Sequence, residues 1–224
     1  MSNFLRSLVR EIIYESLLLE LDPKDFSSNK KVVITAGSPG SGKSTISKLI
    51  LGGLGFKDLD TDDMLKYLLK REKMGTDMSK YSKDQEEKKD SLRNKTFSWI
   101  EKSQEYDKKL GKGIIINTTG ANYDYTIYLK EKFEDAGYNV KMLFIDASLE
   151  TSLKRNKARE RSLKDDDVIQ KHNQVSSNIE NFRKAFGKDF HYYSNEEGKK
   201  PNLSNKEIVS ISKDIVNWRP ARNN

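Results

Sequence analysis

The 224-residue chain contains no cysteine. That excludes disulfides, a cysteine nucleophile and thiolate metal sites, and it suits a cytosolic protein. Two histidines, His172 and His191, are too few for a histidine-built metal centre. No apolar run reaches the roughly 18 residues of a membrane span. The N-terminal stretch is interrupted by charge and lacks the small-residue cleavage site of a secretory signal, and there is no internal repeat. What remains is a composition with 33% charged and 35% hydrophobic residues and a net charge of +7. The surface is therefore highly charged, and the apolar residues, gathered in short runs, suffice for one α/β domain with additions. The positive balance favours a polyanionic partner only mildly, because a nucleotide-binding protein can be basic without touching nucleic acid.

One stretch organises the rest. Gly37-Ser38-Pro39-Gly40-Ser41-Gly42-Lys43-Ser44 fits the phosphate-binding P-loop pattern. Lys31 to Ala36 before it reads as a buried strand, and Thr45 to Leu51 after it as a helix, which is the context the motif requires. The glycines let the backbone turn its N–H groups inward, and the following helix points its positive end at the same place. Lys43 is expected to reach the β- and γ-phosphates and the Ser44 hydroxyl to bind Mg²⁺.

Along the chain, residues 3–21 pattern as an amphipathic helix, with Leu5, Leu8, Val9, Ile12, Ile13 and Leu17 on one face. Residues 1–24 are read as this N-terminal element, 25–30 as a linker and 31–224 as the P-loop domain. A short second strand is expected over Phe56–Asp60. A helix capped by Thr61-Asp62-Asp63 should follow, then a charged surface excursion over 71–90. A long helix over about 83–110 shows a stripe of Leu92, Thr96, Trp99, Ser103, Tyr106 and Leu110, read as core. Further strands are expected at Ile114–Asn117, Val140–Asp146 and Phe190–Tyr193. Helices are expected around Tyr125–Ala136, Leu149–Arg161, Asp165–Phe186 and Ile208–Trp218, the last opened by a capping box at Ser204–Glu207. Alternating strands and helices predict a parallel sheet covered on both faces.

Two further features carry chemistry. Asp60-Thr61-Asp62-Asp63 ends the second strand, and in an open parallel sheet the carboxyl ends of strands face the ligand crevice. Asp62 can there orient an acceptor hydroxyl and take its proton, and Asp60 can hold Mg²⁺ through water. The same acids would also simply favour a helix N-terminus. Lys154-Arg155-Asn156-Lys157-Ala158-Arg159-Glu160-Arg161 follows the fourth strand, where a mobile lid over about 154–166 could lay cations over a migrating phosphoryl group. Arg159 is the first choice, with Arg155 and Arg161 in reserve. The alternative is a solvated basic helix face.

Together these features resemble the P-loop kinase family that holds polynucleotide 5′-hydroxyl kinase and the zeta toxins. Within it the likeness is closest to the kinase domain of the T-even phage polynucleotide kinase. The resemblance covers about 31–195 and rests on Gly37 to Thr45, on Asp62 in the Asp-Asp pair, and on Lys154-Arg155-Asn156 leading to Arg159. It implies a five-stranded parallel P-loop kinase using ATP and Mg²⁺, with Asp62 as general base. Two positions depart from the family pattern. Thr118 stands where an aspartate is common after the third strand, while Thr119 still suits a polar substrate or phosphate contact. Leu65 replaces an arginine that grips a substrate phosphate, with Lys66 beside it. The expected function is transfer of a γ-phosphate to a hydroxyl of a polynucleotide or nucleotide. The alternatives are a UDP-N-acetylglucosamine kinase like the zeta toxins and a non-catalytic nucleotide-binding protein. Leu18-Leu19-Glu20 and Ile13-Tyr14-Glu15 also resemble the Leu/Ile-x-Glu ends of helices that target proteins into tailed-phage heads. Residues 3–21 are thus a possible docking element for a protein partner or a phage particle.

Overall fold

The computed structural model describes residues 29–52, 54–159, 162–196 and 206–216. The expected N-terminal helix, the capping box at Ser204, Trp218 and Arg161 lie outside them. Five parallel strands form one sheet: β1 (Lys31–Ala36), β2 (Lys57–Leu59), β3 (Ile114–Asn117), β4 (Asn139–Asp146) and β5 (Phe190–Ser194), in the order β2-β3-β1-β4-β5. The helices are α1 (Lys43–Leu51), α2 (Thr61–Arg71), α3 (Lys83–Lys109), α4 (Tyr123–Glu134), α5 (Leu149–Lys157), α6 (Asp165–Ser177), α7 (Ile179–Phe186) and α8 (Lys206–Val216). The parallel sheet with helices on both faces is as the alternation of elements predicts.

The period-two geometry of a strand divides the core. Val32, Ile34 and Ala36 of β1 face one layer, built with Ile100 of α3, Leu129 and Phe133 of α4, and Phe182 and Phe186 of α7. Val33 faces the other layer, built with Ile46, Ile50 and Leu51 of α1 and Ile208, Ile211 and Ile215 of α8. A third cluster joins Leu65 and Leu69 of α2 to Met78, Tyr81 and Leu92.

Several boundaries and faces differ from expectation. The 71–90 segment is not wholly a surface excursion, since a short 3-10 turn at Met78–Lys80 buries Met78 and Tyr81 in the third cluster. The stripe on α3 is correct only at Leu92 and Thr96. Beyond them Ile100, Gln104 and Asp107 turn inward, while Trp99, Tyr106 and Leu110 are about half exposed. The reason is Asp107. It is fully buried, with its carboxylate 2.7 Å from Lys57 Nζ and 3.7 Å from Lys112 Nζ. A buried charge is invisible to a search for apolar periodicity, so the aromatic side of the helix looks like the core side. The expected single helix over 165–186 is two, broken at Asn178, whose side chain donates to the carbonyls of Gly120 and Ala121. α5 ends at Lys157, not Arg161, and Asp60 caps α2, accepting from the Asp62 N–H at 2.7 Å.

Candidate active site

The chain leaves the central strand β1 directly into the P-loop. β1 lies between β3 and β4, so the loop sits where successive connections part to opposite sides of the sheet, the usual place of a ligand crevice. The loop is braced on three sides. Gly37 N–H donates to Thr119 O at 3.0 Å. Ser38 Oγ lies 3.3 Å from Ser152 Oγ of α5. Ser41 O accepts from Asn195 Nδ2 at 2.7 Å and from Arg155 Nη1 at 3.4 Å. Gly40 and Gly42 have φ of 86° and 91°. A Cβ at Gly40 would stand 2.3 Å from Ser152 O, so both the turn and the close approach of α5 require glycine there.

These features fit a nucleotide phosphate chain. α1 opens at Gly42 with no side-chain cap and no acid in its first turn, leaving its N–H groups for an anion. Ser44 and Thr45 are exposed at that end. Lys43 folds back over the loop, donating to Gly37 O at 2.5 Å and Ser38 O at 3.1 Å. Burial pushes its ammonium down to about 8. Asp62 and Asp60 pull the other way, while the charges of Arg159 and Lys171 add to the lowering. Those influences put Lys43, Asp62, Asp60, Arg159 and Lys171 around one space.

The remaining expected residues fall as follows. Asp60 engages one carboxylate oxygen in capping α2, and its pKa is raised, first by burial and then by the neighbouring Asp62, Asp63 and Asp58. Lys66 follows Asp62 by one turn on the same face of α2. Thr119 braces the loop with its carbonyl, and its hydroxyl accepts from Ala121 N at 3.3 Å. Arg159 is exposed on the turn after α5. Arg155 points to the back of the P-loop, holding the carbonyls of Ser41 and Asn195. Thr118, at the position where the family often has aspartate, accepts from Gly120 N.

Other residues carry no motif. Lys171 of α6 is held below the ordinary lysine range by burial first and by the Arg93 charge second, while Asp167 and Asp62 raise it and Lys89 lowers it further. Lys171, within electrostatic reach of Arg93 and Lys89 of α3, is thus also within reach of Asp62. Asn156 clasps the lid turn, with Nδ2 donating to Leu163 O at 2.8 Å and Leu163 N donating to its Oδ1 at 3.0 Å. Beyond the clasp, Ser162 Oγ donates to Asp77 Oδ1 at 2.5 Å, and Lys164 pairs with Glu86. The turn after α5 therefore rests on Asp77, between α2 and α3, and on Glu86 at the start of α3. Asn195 could have been singled out as the residue leaving a strand at its carboxyl end. Lys171, Arg93 and Lys89 sit in charge-rich helices where nothing sets them apart.

Comparison with known proteins decides the family. The zeta toxin family model matches residues 17–199. This chain belongs to the zeta toxin family. Its P-loop kinase-like fold is shared by proteins of known structure. It aligns with a structure from the PezAT chromosomal toxin–antitoxin system of Streptococcus pneumoniae with a TM-score of 0.57 and 15% identity, covering 97% of each chain. A putative kinase from Chloroflexus aurantiacus aligns with a TM-score of 0.54 and 11% identity over 83% of this chain and 96% of the other. In sequence the chain is similar to a probable gluconokinase of Schizosaccharomyces pombe, 25% identical over 147 residues, which cover 63% of this chain and 69% of the relative. None of these relatives singles out a polynucleotide kinase, so the finer likeness to the T-even phage enzyme rests on the motif residues alone. Among the described residues no helix is long and apolar enough to cross a membrane.

Proposed function

We propose that this zeta-family chain is a P-loop phosphotransferase that uses Mg²⁺-ATP to phosphorylate a hydroxyl of a phosphate-bearing acceptor, a nucleotide or polynucleotide. The observation that carries the reading is the arrangement of charge around Asp62. Asp62, Asp60, Arg159 and Lys171 all act on the Lys43 ammonium, and Asp62 acts on Lys171 as well. A carboxylate set among cations suits a base working between two anionic substrates. When bound, Mg²⁺-ATP supplies the phosphoryl group and a divalent charge to offset it. The P-loop N–H groups and Lys43 hold the donor phosphates, and Ser44, with Asp60 acting through water, holds the metal. Asp62 orients the acceptor hydroxyl and takes its proton. Arg159, with Arg161 in reserve, offers charge to the migrating group, while Arg155 serves the site from behind the loop. Lys66, Lys171 and the Thr119 hydroxyl serve the acceptor.

The family match favours a second acceptor, UDP-N-acetylglucosamine, which also places a sugar hydroxyl beside phosphates. The test is transfer of labelled γ-phosphate with DNA, RNA, nucleosides, nucleotides and UDP-N-acetylglucosamine supplied separately. Labelling of a nucleotide or polynucleotide supports the first reading, and labelling of the nucleotide sugar alone selects the second. ATP binding without transfer to any of them would leave a nucleotide-binding interaction protein, through residues 3–21 or another face, and overturn both.

A further inference from the structure

We propose that Asn195 is a positioning residue of the phosphate-binding loop, setting the peptide unit between Ser41 and Gly42 so that its N–H faces the nucleotide. The proposal rests on the nucleotide-binding reading above and assigns a role to a residue outside every motif.

In a trans peptide the C=O and N–H of one unit point in opposite directions. The Ser41 carbonyl is drawn to the back of the loop by Asn195 Nδ2 at 2.7 Å and, more weakly, by Arg155 Nη1 at 3.4 Å. The Gly42 N–H must then point away from Asn195, toward the face of the loop left open to a ligand. Gly42 adopts φ 91°, and a Cβ there would meet Asn195 Nδ2 at 2.3 Å, so the loop is pressed directly against this carboxamide. Asn195 is itself firmly held. It is 4% exposed, its N–H donates to Asp146 O at 2.8 Å, and its carbonyl accepts from Arg155 Nη1 at 2.8 Å. Among the described residues its Oδ1 is buried without a hydrogen-bond partner, and the side-chain bond given for its amide is to Ser41 O. The next residue extends the hold. Glu196 accepts from Ser148 N at 2.6 Å, Ser148 Oγ at 2.9 Å and Thr151 Oγ1 at 3.0 Å, which pins the first turn of α5. Arg155 stands near the other end of that helix. The exit of β5 therefore locks the loop and the lid helix into one body, and Asn195 is the contact on the loop side.

The experiment compares the parent with Asn195→Asp, which keeps the shape but replaces the donor with an acceptor facing Ser41 O. Asn195→Ser serves as a second variant should the first fail to fold. Affinities for ATP and for inorganic tripolyphosphate are measured by calorimetry, with thermal unfolding of each protein. The expected result is a loss of roughly tenfold for both ligands, about the worth of one hydrogen bond, with little change in unfolding temperature. In transfer assays the KM for ATP should rise while kcat stays close to the parent's. Unchanged affinity, or weaker ATP with unchanged tripolyphosphate, overturns the proposal. A folded parent that binds neither ligand overturns the nucleotide reading as well, which separates the two failures.

Discussion

The donor and acceptor sides of this site are built in different ways. The donor side is one continuous loop, Gly37 to Thr45, and works mainly through backbone groups, glycine conformations and the open start of α1. The proposed acceptor side draws on long side chains of α2, α3 and α6, which meet only in the folded chain. Backbone sites tolerate little change, because Gly40 and Gly42 hold positive-φ turns and Gly37, Ser38 and Ser41 are braced from behind. Side-chain sites can draw charge from any helix packed around them, as Lys171 of α6 does within reach of Asp62.

The comparison can be broken most severely at Lys43. Lys43→Ala should reduce transfer to background with the fold intact, as judged by circular dichroism and steady-state rates. Full activity would remove the loop from the chemistry. Next comes Asp62→Asn, which should cost about a hundred- to ten-thousand-fold in transfer rate while leaving ATP affinity nearly unchanged. Asp63→Asn should cost far less, since the next side chain of a helix lies about 100° around. The reverse order would move the base to Asp63.

Lys171→Met sharpens the acceptor side. It should raise the KM for a phosphorylated acceptor by roughly tenfold, and a neutral acceptor should be affected less. Equal effects on both acceptors would make Lys171 a structural cation. The smallest expected effect is one of pH. Burial holds Lys43 at about 8 in the free protein, and the phosphates of a bound nucleotide favour its protonated form. ATP binding should therefore take up a proton above pH 8, and affinity should weaken as pH rises beyond that value, approaching tenfold per pH unit at most. Calorimetry in buffers of different ionisation enthalpy measures the uptake. Lys43→Ala should show none from this group.

Much of this was legible from residues alone. β1, β3 and β4 stand out as short β-rich apolar runs, and the P-loop pattern sits between the strand and helix its motif requires. The legible part thins out where polar groups are buried. The inward face of α3 runs through Gln104 and Asp107, so its periodicity misleads, and the break at Asn178 is made by carboxamide bonds to a distant loop rather than by a glycine or proline. Met78 and Tyr81 were hidden by the charged residues around them.

By itself, then, the sequence determined the α/β alternation, the phosphate loop and the acids at the end of β2, because each depends on neighbours a few residues away. Only the tertiary structure decided what faces Asp62, which carbonyl Arg155 holds and why Asn195 stands behind Gly42. These depend on the strand order β2-β3-β1-β4-β5 and on the helices packed over it. Long polar side chains find their partners across that arrangement, and their pairing leaves no period in the chain.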